Sequence, residues 1–198
     1  MKTFLHVGCG LKNKVNTTTA FAHWNEIRFD IDESVKPDLI GTMTNMSSVP
    51  SESVDAVFSS HNIEHLYPHE VPIALSEFQR VLKYDGFAVI TCPDLQSVCA
   101  LVAEDKLTEP AYTLDRPFTP LDIIFGDRLQ LLNGNLFMAH RCGFTQKVLS
   151  ETIKSAGFKN VATTKRGAPY FDLWAIACKE ALSEEALLLL AQTHFTPI

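Results

Sequence analysis

Short β-favouring runs alternate along this chain with segments of helical spacing, which restricts it to a sheet whose strands run mostly parallel. Thr3 to Val7 is the first run, stopped by Gly8-Cys9-Gly10, and Ile27 to Ile31 is the second, ending around Asp30 and Asp32. Between them Leu11 to Asn25 is rich in Asn, Thr and Lys and has poor helical periodicity, so only a short or distorted helix is expected there. Asp38 to Met43, after Pro37, reads as a third strand, and Val54 to Phe58 as a fourth after the turn-rich stretch Ser47 to Ser53. From Glu70 to Lys83 apolar residues fall at Val71, Ile73, Ala74, Leu75, Phe78, Val81 and Leu82, a helical pattern ended by Asp85-Gly86; Phe87 to Cys92 is a fifth strand. Thr145 is placed to cap a helix through Ala156, ended by Gly157, and the sixth and seventh strands are Val161 to Thr164 and Tyr170 to Cys178. The last two are joined too briefly for a crossover helix and should run antiparallel. Ser183 then caps a helix through Gln192, with Glu184 and Glu185 where the helix dipole favours anions. The expected fold class is α/β, a doubly wound, mainly parallel seven-stranded sheet with an antiparallel last strand.

With 198 residues the chain suits one domain, 1–198, and 46% hydrophobic with 20% charged residues is an ordinary globular composition. The net charge of −6, with scattered basic residues, argues against nucleic acid as a partner, because binding phosphate backbones needs clustered Lys and Arg. Cys9, Cys92, Cys99, Cys142 and Cys178 are odd in number and form no Cys-x-x-Cys pair, and no signal-peptide pattern is visible, so reduced thiols and a cytoplasmic location are expected. No apolar run approaches the roughly 20 residues that cross a bilayer, so no membrane insertion is expected.

In an open α/β sheet ligands bind beyond the carboxyl ends of the strands, near the point where strand order reverses. There Gly8, Cys9 and Gly10 let the backbone turn tightly and come close to a ligand. Asp30 lies 20 residues beyond Gly10, where a carboxylate can accept hydrogen bonds from a ribose diol. Together they suggest a nucleoside cofactor, the alternative being a tight turn with no ligand. Asn13 stands where a dinucleotide fingerprint has its third glycine, and the following helix signal is poor, so a pyrophosphate is disfavoured.

LHVGCG, FDID, SVDAVFSSHNIEHL and EFQRVLKYDGFAVITCPDL, covering roughly positions 3 to 94, resemble successive motifs of the class I S-adenosylmethionine-dependent methyltransferases of the type 11-like group. The resemblance implies a Rossmann-like sheet and S-adenosylmethionine, a cofactor without phosphate. It implies that the Gly8 to Gly10 loop approaches the methionine portion, that Asp30 holds the ribose hydroxyls and that Ile31 lies against adenine. It also implies that Ser59, Ser60 and His61 border the sulfonium end. The chain departs from the family pattern at His6, where many members have an acid, and at Thr42 in Gly41-Thr42-Met43-Thr44-Asn45, where an acid often sits beside adenine. The Met43 amide could bind a ring nitrogen, with Thr42 or Asn45 contacting the amino group.

His61, His65 and His69 are spaced by four residues, but Pro68 interrupts them, Asn62 breaks the HExxH order and no cysteine pair is near, so no metal is expected. Glu64 and His65 are expected to orient the loop and cap the next helix. Methyl transfer needs alignment of an acceptor lone pair and exclusion of water, and a neutral imidazole with an ordinary pKa, His61 or His140, suits an acceptor that must lose a proton. Leu95 to Phe144 is far longer than a usual α/β connection and carries Pro110, Pro117, Pro120, Tyr112, Phe118, Phe125, Phe137 and Met138, besides the polar Asp94, Asn135, His140 and Arg141. It is expected to be an inserted lid or substrate-binding segment. The expected function is methyl transfer to a small or medium-sized acceptor; a non-catalytic cofactor- or partner-binding module and an NAD-dependent oxidoreductase are the alternatives.

Overall fold

In a computed structural model that describes residues 1–195, the strands in chain order are β1 (Thr3–Val7), β2 (Asn25–Asp30), β3 (Leu39–Ile40), β4 (Val54–Ser60), β5 (Leu82–Pro93), β6 (Tyr112–Thr113), β7 (Pro117–Phe118), β8 (Asn160–Arg166) and β9 (Asp172–Cys178). The helices are α1 (Val71–Val81), α2 (Leu95–Ala103), α3 (Pro120–Phe125), α4 (Arg128–Leu132), α5 (Gln146–Ser155) and α6 (Glu184–His194). The expected domain end, 196–198, lies outside the described residues.

Seven strands form one sheet in the order β3-β2-β1-β4-β5-β9-β8. The first five pair in parallel, and β9 runs antiparallel to both β5 and β8. The strand order reverses at β1 and β4, so the loops after these strands open onto the same crevice. All residues of β9 are buried, as a strand covered on both faces requires.

On one face α1 and α5 lay Val71, Leu75, Phe78, Leu149 and Ile153 against Leu5, Val57, Ile90 and Leu173. Helix α1 admits Pro72 because it lies in the first turn, where its missing N–H has no intrahelical partner to lose. The Thr145 hydroxyl accepts from Val148 N, and the Ser183 hydroxyl from Ala186 N, so both expected caps are formed. The opposite face has no long helix between β1 and β2. Single 3₁₀ turns, Lys14–Asn16 and Thr19–Phe21, stand there instead, in keeping with the poor periodicity of that stretch. Phe21 drops from the second turn to stack on Phe4 at 4.4 Å, and α6 comes from the far end of the chain to complete the layer. His194 of α6 packs on Phe21 and Phe87 and lies 3.2 Å from the Thr18 hydroxyl.

Two elements differ from the sequence reading. The third strand has only two residues, because Gly41 onward turns back on itself through a Thr42–Asn45 bridge. The fifth begins at Leu82, directly after the helix, because Leu82 already pairs with Val54 and a register shift between Val54 and Ala56 takes up the irregularity; Asp85-Gly86 therefore lies inside β5.

Leu95 to Phe144 is a folded unit rather than a loop. It holds α2, the β6–β7 hairpin, α3 and α4 around a small core of Val98, Ile123 and Phe171. Its helices are too short to show periodicity, although Thr119 and Asp122 form a reciprocal capping box at the start of α3. Its two ends are adjacent: Asp94 bridges Phe144, and Leu95 N donates to Phe144 O at 3.0 Å.

Candidate active site

The glycine loop is built by backbone geometry. Gly8 and Gly10 have φ of +61° and +53°, in the region that L side chains rarely adopt. Gly8 N and Cys9 N both reach Phe29 O at the end of β2, and Gly10 N donates to Asp30 Oδ2 at 2.7 Å. The other oxygen of Asp30 accepts from Asp32 N at 2.9 Å. The glycines differ in what their missing side chains leave free. A Cβ on Gly8 would lie 2.1 Å from Asn62 Oδ1, whereas a Cβ on Gly10 would meet nothing within 4 Å. The expectation that both glycines make room for a ligand therefore changes: Gly8 makes room for Asn62, whose amide donates to Val7 O at 2.8 Å, and only Gly10 faces open space. Cys9 as a whole is 1% exposed and burial pushes its thiol up to about 11, so its side chain packs inward and the half-buried Gly8 and Gly10 form the open part of the loop.

Sequence reading missed Arg28. Its guanidinium donates to the carbonyls of Gly10, Lys12, Val35 and Lys36, tying the glycine loop to the turn after β2. Ile31 beside Asp30 is 48% exposed, an apolar surface at the strand end. Past β3, the Met43 side chain packs against the core, the Thr42 hydroxyl meets that of Thr44 at 3.1 Å, and Asn45 Oδ1 accepts from Ser47 N. Asn45 also lines a groove of about 440 Å³ with Ile73, Glu77 and Arg80. His6 is buried and pairs with Glu26 at 2.7 Å against the Phe58 ring, as a strand histidine of the packed face.

At the end of β4, Ser59 is buried beside Asn62, and the Ser60 hydroxyl lies 2.9 Å from that of Thr91. His61 follows with φ +56°, a left-handed conformation uncommon outside glycine, and its side chain is 44% exposed. Its ring stands between two carboxylates, Glu64 at 3.4 Å and Asp172 of β9 at 3.9 Å. The partial loss of solvent on its inner side opposes its charge, but the two carboxylates outweigh this and lift the imidazole to about 9. The ordinary pKa expected for His61 is thus not what the structure gives it. Burial moves His140 the other way, below its usual value.

His61, His65 and His69 share no helix face, because residues 63–65 form a single 3₁₀ turn and His69 stacks on Tyr67 outside it. Nor do Glu64 and His65 cap α1; the Glu70 carboxylate instead takes Tyr67 N. The returning end of the insertion binds this turn directly. Arg141 N and Cys142 N both donate to Glu64 O, and His65 Nδ1 lies 3.1 Å from Ala139 O. His140 enters beside His65, ring centroids 4.8 Å apart, with its Nδ1 2.7 Å from Ile123 O. The two histidines named from sequence, His61 and His140, are thereby both brought close to Glu64, which is 1% exposed. Of the other polar residues expected there, Asp94 caps α2 and Arg141 lies over the Tyr67 ring, while Asn135 Oδ1 is buried without a hydrogen-bond partner.

Asp172 was the second residue missed. It is an acid opening an otherwise apolar strand, and Arg166 binds it through two nitrogens while Trp174 Nε1 donates to it at 3.2 Å. That isolated charge in DLWAIAC was the available signal.

Residues 5–90 match a family model described as a methyltransferase domain. No curated protein sequence matches the chain. Among solved structures, an S-adenosylmethionine-dependent methyltransferase from Archaeoglobus fulgidus is 17% identical with a TM-score of 0.55, over 90% of this chain and 86% of that one. Another from Methanosarcina mazei is 16% identical with a TM-score of 0.61, over 91% and 93%. The 1,6-didemethyltoxoflavin-N1-methyltransferase of Burkholderia thailandensis, solved with that acceptor and S-adenosylhomocysteine, is 13% identical with a TM-score of 0.57, over 90% and 71%. Residues 5–90, a little under half of the chain, are thus similar to a methyltransferase domain, and the seven-stranded sheet has the Rossmann-like fold of these solved methyltransferases.

Proposed function

We propose that the chain binds S-adenosylmethionine and directs transfer of its methyl group to a small or medium-sized acceptor. The observation that carries this is the glycine loop joined to Asp30 on a Rossmann-like sheet where no helix begins. A pyrophosphate is served by a helix N-terminus behind such a loop. Two single turns cannot supply that dipole, which suits a nucleoside cofactor without phosphate.

In this reading the backbone of Gly8, Cys9 and Gly10 runs beside the methionine portion and Asp30 uses its remaining lone pairs for the ribose hydroxyls. Ile31 lies on adenine, the Met43 amide meets a ring nitrogen, and Thr42 or Asn45 contacts the amino group. Ser59, Ser60 and His61 line the sulfonium end, and the 95–144 insertion covers the acceptor with His140 on its inner side. The bound cofactor supplies an electrophilic methyl group. The protein holds the acceptor in line with it and keeps water away.

Calorimetry with S-adenosylmethionine, S-adenosylhomocysteine and NADH tests the reading: micromolar binding of the first two and none of the third is expected. Asp30→Asn keeps the shape but loses the charge, and should weaken S-adenosylhomocysteine binding at least tenfold, in line with about 1.5 to 3 kcal/mol for hydrogen bonds to a charged group. Asp32→Ala, which removes only the acceptor from Ser34 N, is the control. Unchanged affinity in folded Asp30→Asn would take the ribose role from this residue.

A further inference from the structure

Among the described residues, neither carboxylate oxygen of Glu64 has a hydrogen-bond partner, although the side chain is 1% exposed. A buried carboxylate in that condition is unfavourable unless something else meets it. The approach of His61 at 3.4 Å supplies opposite charge but no hydrogen bond. One donor atom each from Glu64, His65 and His140 lies within 4.8 Å of the other two. The backbone settles which ring nitrogens are free. His65 Nδ1 faces Ala139 O and His140 Nδ1 faces Ile123 O, and a carbonyl only accepts, so both rings carry their proton on Nδ1. In the neutral rings this leaves each Nε2 with a lone pair, the arrangement by which a backbone carbonyl fixes the tautomer of a metal-binding histidine.

We propose that Glu64, His65 and His140 form a site for one divalent first-row transition-metal ion, bound through the two Nε2 atoms and the Glu64 carboxylate. Two imidazoles and one carboxylate favour zinc, cobalt or iron over calcium and magnesium, which prefer all-oxygen sites. The side chains close on loading, since a four-coordinate ion holds its ligand atoms about 3.3 Å apart. Three protein ligands leave at least one position open. Because both rings are half-buried, solvent or an oxygen of the acceptor can reach that position. His61 keeps Asp172 as its second carboxylate when Glu64 turns to the metal. The site joins two parts of the chain, Glu64 and His65 from the loop after β4 and His140 from the end of the insertion, which explains why spacing within 61–69 did not reveal it.

The test uses the full chain, stripped by chelator and dialysed, titrated with Co²⁺ followed by visible absorption and with Zn²⁺ by calorimetry. One equivalent of each is expected to bind at micromolar or tighter concentration, with a d–d absorption of a low-coordinate Co²⁺ site. Glu64→Gln and His140→Ala should each weaken binding at least tenfold, and His69→Ala, outside the cluster, should leave it unchanged. His140→Ala, at a half-buried position, serves where Glu64→Gln disturbs folding. No stoichiometric ion below 100 µM in the wild type, or affinity unmoved by both variants, overturns the proposal. S-adenosylhomocysteine titrated into the stripped chain reports separately on the cofactor site, so the two readings fail independently.

Discussion

Gly8 and Gly10 stand two residues apart with the same sign of φ, but their replacement has different consequences. An alanine at Gly10 incurs the left-handed conformation alone, about 1 to 2 kcal/mol. At Gly8 the new methyl group also strikes Asn62, so Gly8→Ala should cost about 3 kcal/mol or more, with Asn62→Gly in the same chain recovering part of the loss. Thermal unfolding of the three variants checks this, and equal losses at the two glycines would remove the Asn62 contact as the reason for Gly8. The pattern Gly-x-Gly was readable in the sequence. Which glycine serves packing and which opens toward a ligand was not, because Asn62 is brought there from the loop after β4 by its bond to Val7 O. The positions of Asp30, Ser59, Ser60 and His61 at the carboxyl ends of β2 and β4 were readable for a related reason: the apolar run of each strand ends abruptly there, and the end of a parallel strand is where a ligand site is expected. The place of Glu64 beside His140 and the links made by Arg28 were not, since they depend on partners brought together by the fold, while Asp172 left only the faint signal of one charge in an apolar strand.

Among the elements, α1, α5 and α6 were legible because each spans ten residues or more and two of the three have a Ser or Thr hydroxyl as cap. Helices α3 and α4, six and five residues long, fall below the length at which apolar periodicity is visible. The weak stretch after β1 was legible as an absence of helix, and Arg28 ties its first residues to the turn after β2. Arg28→Lys keeps the charge but gives one compact ammonium in place of a planar fork directed at four carbonyls. It should weaken S-adenosylhomocysteine binding about three- to tenfold while lowering the melting temperature by only a few degrees, because the loop carries little of the core. Calorimetry beside differential scanning calorimetry checks the split; a variant that melts early yet binds normally would make Arg28 a stabilising residue only.

For the molecule as a whole, the sheet depends on its last helix. Removing 180–198 should uncover Phe4, Phe21, Phe87 and Trp174 and give a chain that aggregates on expression, read out by its solubility. The same helix brings in an acid-sensitive group. Burial, aided by Lys2, lowers the His194 pKa to about 4, below its value of about 6.5 in an unfolded chain, so the unfolded state binds the proton more readily. Its contribution is full above pH 6.5 and is lost as the pH falls toward 4, by up to roughly 3 kcal/mol. His194→Gln should flatten the stability profile across that window in chemical denaturation, whereas a slope identical to the wild type would assign the acid limb to other groups. The insertion behaves as the opposite kind of part. It leaves the sheet and returns to it at neighbouring residues, joined by the Asp94–Phe144 bridge, and has apolar side chains of its own in its interior. Its length can therefore change without a new register for any strand, as long as Val98 and Ile123 keep their contact with Phe171 from the turn before β9. His140 lies inside it, so a change that reshapes this segment also moves one of the three residues of the Glu64, His65 and His140 cluster.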